Sequence, residues 1–508
     1  MGAATALVTG CGLIAGTSSY AVDPSLDDAS TGGREAGGSG DASGLDSLAS
    51  DGPADAVDVS MAETSRDTSA DVAVDIGTDA AVDTGADVTV DARVDAADAS
   101  ETGVDASTFT ALTDPGVWAT YDVSHVTGDA TDSFNGGAFD GTYMYFAPSG
   151  AQVLRLDTTM TGDFTDSTAW TSQTMTAVSE DGGTTTPRGF SGAVYDGKRY
   201  VFFVPGQAAS AQTSQVVRYD TTAAFSSTSS WEAFDTKIHF GGKAAGFQGA
   251  VFDDRYVYFV PNGDGTSGTV VRYDTTNGDF QDLAAWSSVD LSGLSSVEST
   301  GFAGGLYVAP YVYFVPLDSS DVARFDTTTA LGAASSWTTY DVSQGGMLPS
   351  GGFLGGAVVG QEIFLAPNFD VLNGDSFGKV FEYSTSAPFE ATASWSSFDT
   401  AQLPSSPQGF FGAAYDGRWV YFAPQLSEAS GKPAFSGVLA RVDTTATFDL
   451  PGSWQSFDIG KVDPSAVGFG GAVFDGTYVY FIPGTNTTFA RFLARTVAAT
   501  PPFASSFY

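Results

Sequence analysis

The stretch Phe190-Ser-Gly-Ala-Val-Tyr-Asp196-Gly197-Lys-Arg-Tyr200-Val-Phe-Phe-Val-Pro205, followed by Val216-Val-Arg218-Tyr-Asp220-Thr-Thr222 and Trp231-Glu-Ala-Phe-Asp235, decides the fold. It reads as four short strands. Strand a is the Phe-x-Gly-Ala run, ended by Asp-Gly, the strongest short signal for a tight hairpin. Strand b is aromatic and β-branched and is closed by its proline, which cannot donate to a continuing ladder. Strand c carries Val-x-Arg-Tyr-Asp-Thr-Thr, and strand d begins at the tryptophan.

Working outward, the same unit recurs. Its tryptophan returns at Trp118, Trp170, Trp231, Trp286, Trp337, Trp395 and Trp454, at spacings of 51 to 61 residues. The strand-a phenylalanine returns at Phe134, Phe190, Phe247, Phe302, Phe353, Phe410 and Phe469, and the closing proline likewise counts to seven, from Pro148 to Pro483. Four strands in about 55 residues with no helical period between them specify an all-β, seven-bladed β-propeller. The chain opens on a lone strand d, Trp118 to Asp122, and ends after a strand c, Phe489 to Arg495. Closing the ring therefore requires the first strand to complete the seventh blade, which removes exposed edges. The strand-a glycines are expected where innermost strands crowd the axis and only small residues let blades approach.

The Gly-containing first strand and the Tyr-Asp-Thr-Thr…Trp tail resemble Kelch-type propellers across essentially all of residues 115 to 508. Val-Pro or Ala-Pro stands where Kelch repeats carry a Gly-Gly doublet after strand b.

The 508 residues hold 60 acidic against 20 basic side chains, a formal charge of −40, with two His and one Cys. A phosphate backbone needs a basic footprint, so no nucleic-acid partner is expected. One Cys excludes a disulfide framework and a multi-thiolate metal centre, and two His leave little for a His-rich one. No stretch approaches the 18 or so apolar residues of a membrane-spanning helix.

Charge divides the chain into three parts. Residues 1 to 22 form a short apolar segment in which Val8-Thr9-Gly10-Cys11 resembles the lipobox of bacterial lipoproteins. That resemblance implies cleavage before Cys11, lipidation of its thiol, and membrane attachment through the acyl chains, two or three of which anchor stably. With Gly rather than Asp at position 12, it also implies outer-membrane or cell-surface placement. Residues 23 to 114 hold 22 acidic and 3 basic residues among Ala, Thr, Ser, Gly and Val. Such a segment cannot bury enough apolar surface to offset its chain entropy and is expected to be a disordered linker. Its Asp67 to Asp95 series, one Asp every fourth residue, would stack like charges on a helix. Residues 115 to 508 carry the propeller, expected as a monomer.

Function is less legible. The arginines of strand c, such as Arg155, Arg218 and Arg272, are expected to pair with the strand-d aspartates, such as Asp235 and Asp290, across strands or between blades. The fifth unit replaces two of its own at once, with Glu382 and Ser384. The a–b and c–d turns share one face and are uniform. The b–c loops and d–a crossovers share the other and vary, from four residues at Ser149 to Gln152 to a dozen at Asn368 to Lys379. Variation on one face of a uniform scaffold marks a recognition surface, although drift alone gives the same lengths. Its candidate ligand-binding residues are Arg188, His239, Lys243, Asn262, Asp264, Asn373 and Asp375. No catalytic or cofactor-binding residue stands out. Asn262-Gly-Asp264 and Asn373-Gly-Asp375 offer oxygen ligands for calcium but lack EF-hand spacing and are ordinary turn compositions. A surface lipoprotein displaying a protein- or glycan-binding module is the leading expectation. A carbohydrate-active enzyme with an Asp/Glu pair on the variable face, or a non-catalytic envelope scaffold, are the alternatives.

Overall fold

The computed structural model describes residues 108–498 apart from 130–131, 160–163, 209–210, 263–267, 298–300, 345–350, 371–373 and 429–432. Of the linker expected over 23–114, residues 23–107 lie outside the described residues, as does Cys11, whereas residues 108–114 belong to the propeller and not to a linker. Seven antiparallel sheets of four principal strands follow one another. Blade 3 is typical: Phe247–Phe252, Tyr256–Pro261, Thr269–Asp274 and Trp286–Asp290 pair in that order. Blade 7 closes the ring as its sequence requires, with Trp118–Asp122 paired antiparallel to Thr488–Leu493 in the register Trp118 to Phe492 through Asp122 to Thr488. Residues 108 to 114 extend this clasp. Phe109 bridges Arg495, the Thr110 amide donates to the Ala494 carbonyl at 3.1 Å, and Leu112 is buried.

The invariant glycine of Phe-x-Gly has a more specific cause than crowding. In all seven inner strands the register slips between the phenylalanine and the residue three positions on, a β-bulge. The glycine inside each slip has a positive φ, from 67° at Gly355 to 138° at Gly471. A Cβ is disfavoured there, and glycine is the residue that bulges of this kind use. Crowding governs the position after it, where a Cβ on Gly305 would stand 2.6 Å from Val251 of blade 3.

A second repeated device sits at strand d. Each of the seven tryptophans donates its Nε1–H to the carbonyl six residues earlier, at 2.7 to 3.0 Å, as Trp231 does to Phe225 and Trp118 does to Leu112. A buried indole thereby satisfies its one donor while fixing the c–d link against the blade.

The strand-c arginines do not pair with the strand-d aspartates. Their guanidinium groups lie over aromatic rings instead: Arg155 over Tyr143 and Phe225, Arg218 over Tyr200 and Phe280, Arg324 over Tyr311 and Phe389. The first ring of each pair is the opening residue of the same blade's strand b. The second belongs to the c–d link of the next blade, so the arginine joins neighbours by cation–π contact. Most of the strand-d aspartates begin the crossover, accepting the amide two residues on, as Asp235 does from Lys237 at 3.0 Å. Arg218 also pairs across strands with Glu232 of strand d, while Arg199–Asp220, Arg255–Asp274 and Arg418–Asp443 tie the residue before strand b to the end of strand c.

Blade 5 departs at all three places. Glu382 replaces the arginine, Ser384 the strand-c aspartate, and Glu362 the opening aromatic of strand b. Ser384 donates to Glu362 at 2.8 Å. Burial, then the charges of Glu362 and Asp449, push the Glu382 carboxyl up to about 7. This blade lacks the arginine that in five others lies over a ring of the neighbouring blade.

Candidate functional site: the face of the b–c loops and crossovers

The two faces differ in construction. On the lower face, Asp140, Asp253, Asp416 and Asp475 each accept backbone amides of their turn through Oδ1 and a tyrosine hydroxyl through Oδ2, Tyr421 to Asp416 at 2.7 Å for example. Burial raises the pKa of Asp416 and Asp475, against the lowering by these hydrogen bonds. On the same face, hydrogen bonding to Arg199 leads in lowering Asp220 to about 2. These perturbed carboxylates are committed to turn geometry and blade pairing.

The upper face carries the elaborations. The b–c loops form added hairpins at Gln207–Ala208 with Ala211–Gln212 in blade 2 and Leu426–Glu428 with Pro433–Phe435 in blade 6. The crossover into blade 2 forms another, Ala177–Val178 with Thr184–Thr185, and Val178 pairs parallel to Glu232 of the outer strand. Blade 2 thereby becomes a six-stranded sheet. The crossover out of it winds into a short helix, Thr236–Phe240, capped by Asp235.

At the axis, the residues after the seven strand-a phenylalanines are Asn135, Ser191, Gln248, Ala303, Leu354, Phe411 and Gly470. Ala303, Leu354 and Phe411 are fully buried with Leu317, packed by Phe369. Ser191 donates to the Phe247 carbonyl at 2.5 Å, and Asn135 to that of Phe190 at 3.1 Å, linking successive blades. This ring of positions contains no carboxylate pair for glycoside cleavage.

The sequence-derived candidates separate. His239 is held against Glu180 at 2.8 Å and stacks on Phe234 at 4.8 Å between centroids. Lys243 donates to Asp290 at 3.0 Å and Ser292 at 3.1 Å. Both fasten one crossover to another. Asn262 is half-buried, its amide directed at the Gly246 carbonyl at 3.4 Å. Asp375 closes a loop by accepting the Asp370 amide at 2.8 Å through its carbonyl. Asp264 and Asn373 lie outside the described residues. Among the described residues, no group of three His, Cys, Asp or Glu is arranged to hold a metal ion.

Arg188 lines a cavity. With Thr186, Pro187, Thr213, Ser214, Gln215 and Asp235 it encloses about 240 Å³ at the top of blade 2. The sequence named Arg188 from the crossover but missed its polar companions, four of which, Thr213, Ser214, Gln215 and Asp235, come from two other segments. The signal available was the lengthened b–c loop of the same blade. No family model and no curated protein matches the chain.

Proposed function

We propose that this chain is an envelope lipoprotein, anchored through Cys11, whose monomeric propeller is a recognition module for a protein or glycan on its upper face. One observation carries the reading. Residues 108 to 117 form the c–d link of blade 7, so the chain joins the propeller on the lower face, where Arg495 donates to the Asp416 carbonyl at 3.1 Å. Among the described residues, the added hairpins and the crossover helix are on the other side. A module attached by one face and elaborated on the opposite one presents its variable surface away from its attachment, as recognition on a rigid scaffold favours. The bulge glycine and the strand-d tryptophan carry the likeness to Kelch-type propellers, and that placement belongs to the same proposal.

The test has two arms. Mass spectrometry of the chain from a bacterial envelope is expected to show an acylated N-terminal cysteine, and a Cys11→Ser variant to leave the membrane fraction. A glycan and protein array probed with the full chain is expected to return a ligand whose binding is lost on altering upper-face loops. A silent array overturns the recognition reading, and an unacylated Cys11 overturns the anchor.

A further inference from the structure

Three elaborations converge on blade 2, and the cavity lies where they meet. Thr186, Pro187 and Arg188 follow the crossover hairpin, Thr213, Ser214 and Gln215 follow the b–c hairpin, and Asp235 begins the helix that leads away. Arg188 is fixed at its backbone and not at its side chain. Pro187 before it is buried. Gly189 after it has a φ of 72°, and a Cβ there would stand 2.4 Å from the Gln207 carbonyl oxygen, so the strand is pressed against the hairpin. The guanidinium itself has no hydrogen bond or ion pair among the described residues. Two residues before the strand-a phenylalanine, other blades carry Asp132, Ala245, Gly351, Gln408 and Val467, none of them basic.

The other groups are arranged by one another. Asp235 Oδ1 accepts from Ser214 Oγ at 2.8 Å and from the Lys237 amide at 3.0 Å, leaving Oδ2 as an acceptor. Gln215 Oε1 accepts from the Thr185 hydroxyl at 3.0 Å, which leaves its amide NH₂ to donate. Thr213 Oγ1 donates to the Gly189 carbonyl at 3.2 Å and keeps its lone pairs for a ligand. Pro187 is the one apolar lining residue. The wall thus offers one cation and alternating donors and acceptors.

From this geometry we propose that the blade-2 cavity binds a single carboxylated sugar unit of a glycan. The proposal deepens the recognition reading above and rests on it. A planar guanidinium matches a carboxylate with two parallel hydrogen bonds. Sugar hydroxyls would donate to Asp235 Oδ2 and accept from the Gln215 amide. The volume of about 240 Å³ equals roughly eight waters at about 30 Å³ each, the space of one hexuronate ring rather than several. An apolar side chain would leave these polar groups unpaired.

The test is titration calorimetry of the full chain with an oligogalacturonate and with its methyl ester, beside an array carrying other carboxylated glycans and peptides. Binding of the acid is expected to exceed that of the ester by about tenfold or more, the loss expected for a charge-assisted hydrogen bond. Arg188→Gln should abolish that preference while leaving the melting temperature unchanged, since the guanidinium makes no hydrogen bond or ion pair among the described residues. Arg188→Lys should restore part of it. Acid and ester bound equally, no carboxylated glycan bound, or capture of peptide carboxylates in their place would each overturn the proposal. An array ligand indifferent to Arg188→Gln would overturn the cavity assignment and leave the recognition reading standing. No ligand of any kind removes both.

Discussion

The guanidinium of Arg324 in blade 4 lies 4.4 Å from the ring centroid of Phe389, which belongs to blade 5. It lies over Tyr311 of its own blade on the other side, at 4.3 Å. Removing the cation and its stem at Arg324→Ala is expected to destabilise the fold by about 1 to 2 kcal/mol, combining a partly desolvated cation–π contact with lost packing. Arg324→Lys should recover less than half, because a compact ammonium does not stack. Denaturation midpoints of the three proteins check this.

Blade 5 inverts that arrangement, and pH should reveal it. The Glu382 carboxyl sits at about 7 in the folded state against about 4.5 when free, so the folded protein binds the extra proton between those values. Stability contributed by this group is then greatest at low pH, declines as pH rises from about 4.5 to 7, and is lost above. Glu382→Gln is expected to melt higher than the parent at pH 8 and by much less at pH 5. Melting curves at the two pH values decide it, and a difference of the same size at both would refute the assignment. Glu382→Arg, facing Glu362, should raise the midpoint further.

The bulge predicts a local rule of substitution. Gly249, at φ 78°, should tolerate no side chain, and Gly249→Ala is expected to cost about 1 to 2 kcal/mol through left-handed strain. The adjacent Ala250→Gly, in ordinary strand geometry, should cost about 1 kcal/mol or less. Urea titration of both variants is the check.

Trp231 is fully buried and its Nε1–H meets the Phe225 carbonyl at 2.9 Å. Trp231→Phe leaves a void and removes the donor from a buried carbonyl, together worth about 2 to 4 kcal/mol. Calorimetry should show a fall at least twice that for Arg324→Ala.

The clasp predicts a truncation limit. A chain begun at 108 keeps the Trp118 strand and should fold as a monomer. One begun at 124 leaves the edge of Thr488–Leu493 open and is expected to dimerise or aggregate, since an unpaired strand invites another. Light scattering separates the outcomes.

Architecture was legible because one unit is written seven times: tryptophan, proline and Phe-x-Gly each mark the same place in every copy, and the strand-d start at Trp118 announces the closure. What the arginines do was not legible. The sequence suggests an ion pair between Arg155 and a strand-d aspartate, but its guanidinium lies between Tyr143 of its own blade and Phe225, 70 residues away and in the next blade. Contacts between blades have no fixed spacing to read. The cavity failed for the same reason: Arg188, Gln215 and Asp235 come from three segments that meet only once the sheet is formed.

The closure by Trp118–Asp122 also sets how the molecule bears force. That strand runs from the lower face, where the chain joins, toward the upper face, and its five residue pairs with Phe492 through Thr488 lie side by side along it. A pull between the attachment and anything held above acts along the strand and strains all five pairs together, instead of opening them one after another. The seam that joins the two ends of the chain is therefore loaded in shear, the direction in which a strand pair resists most.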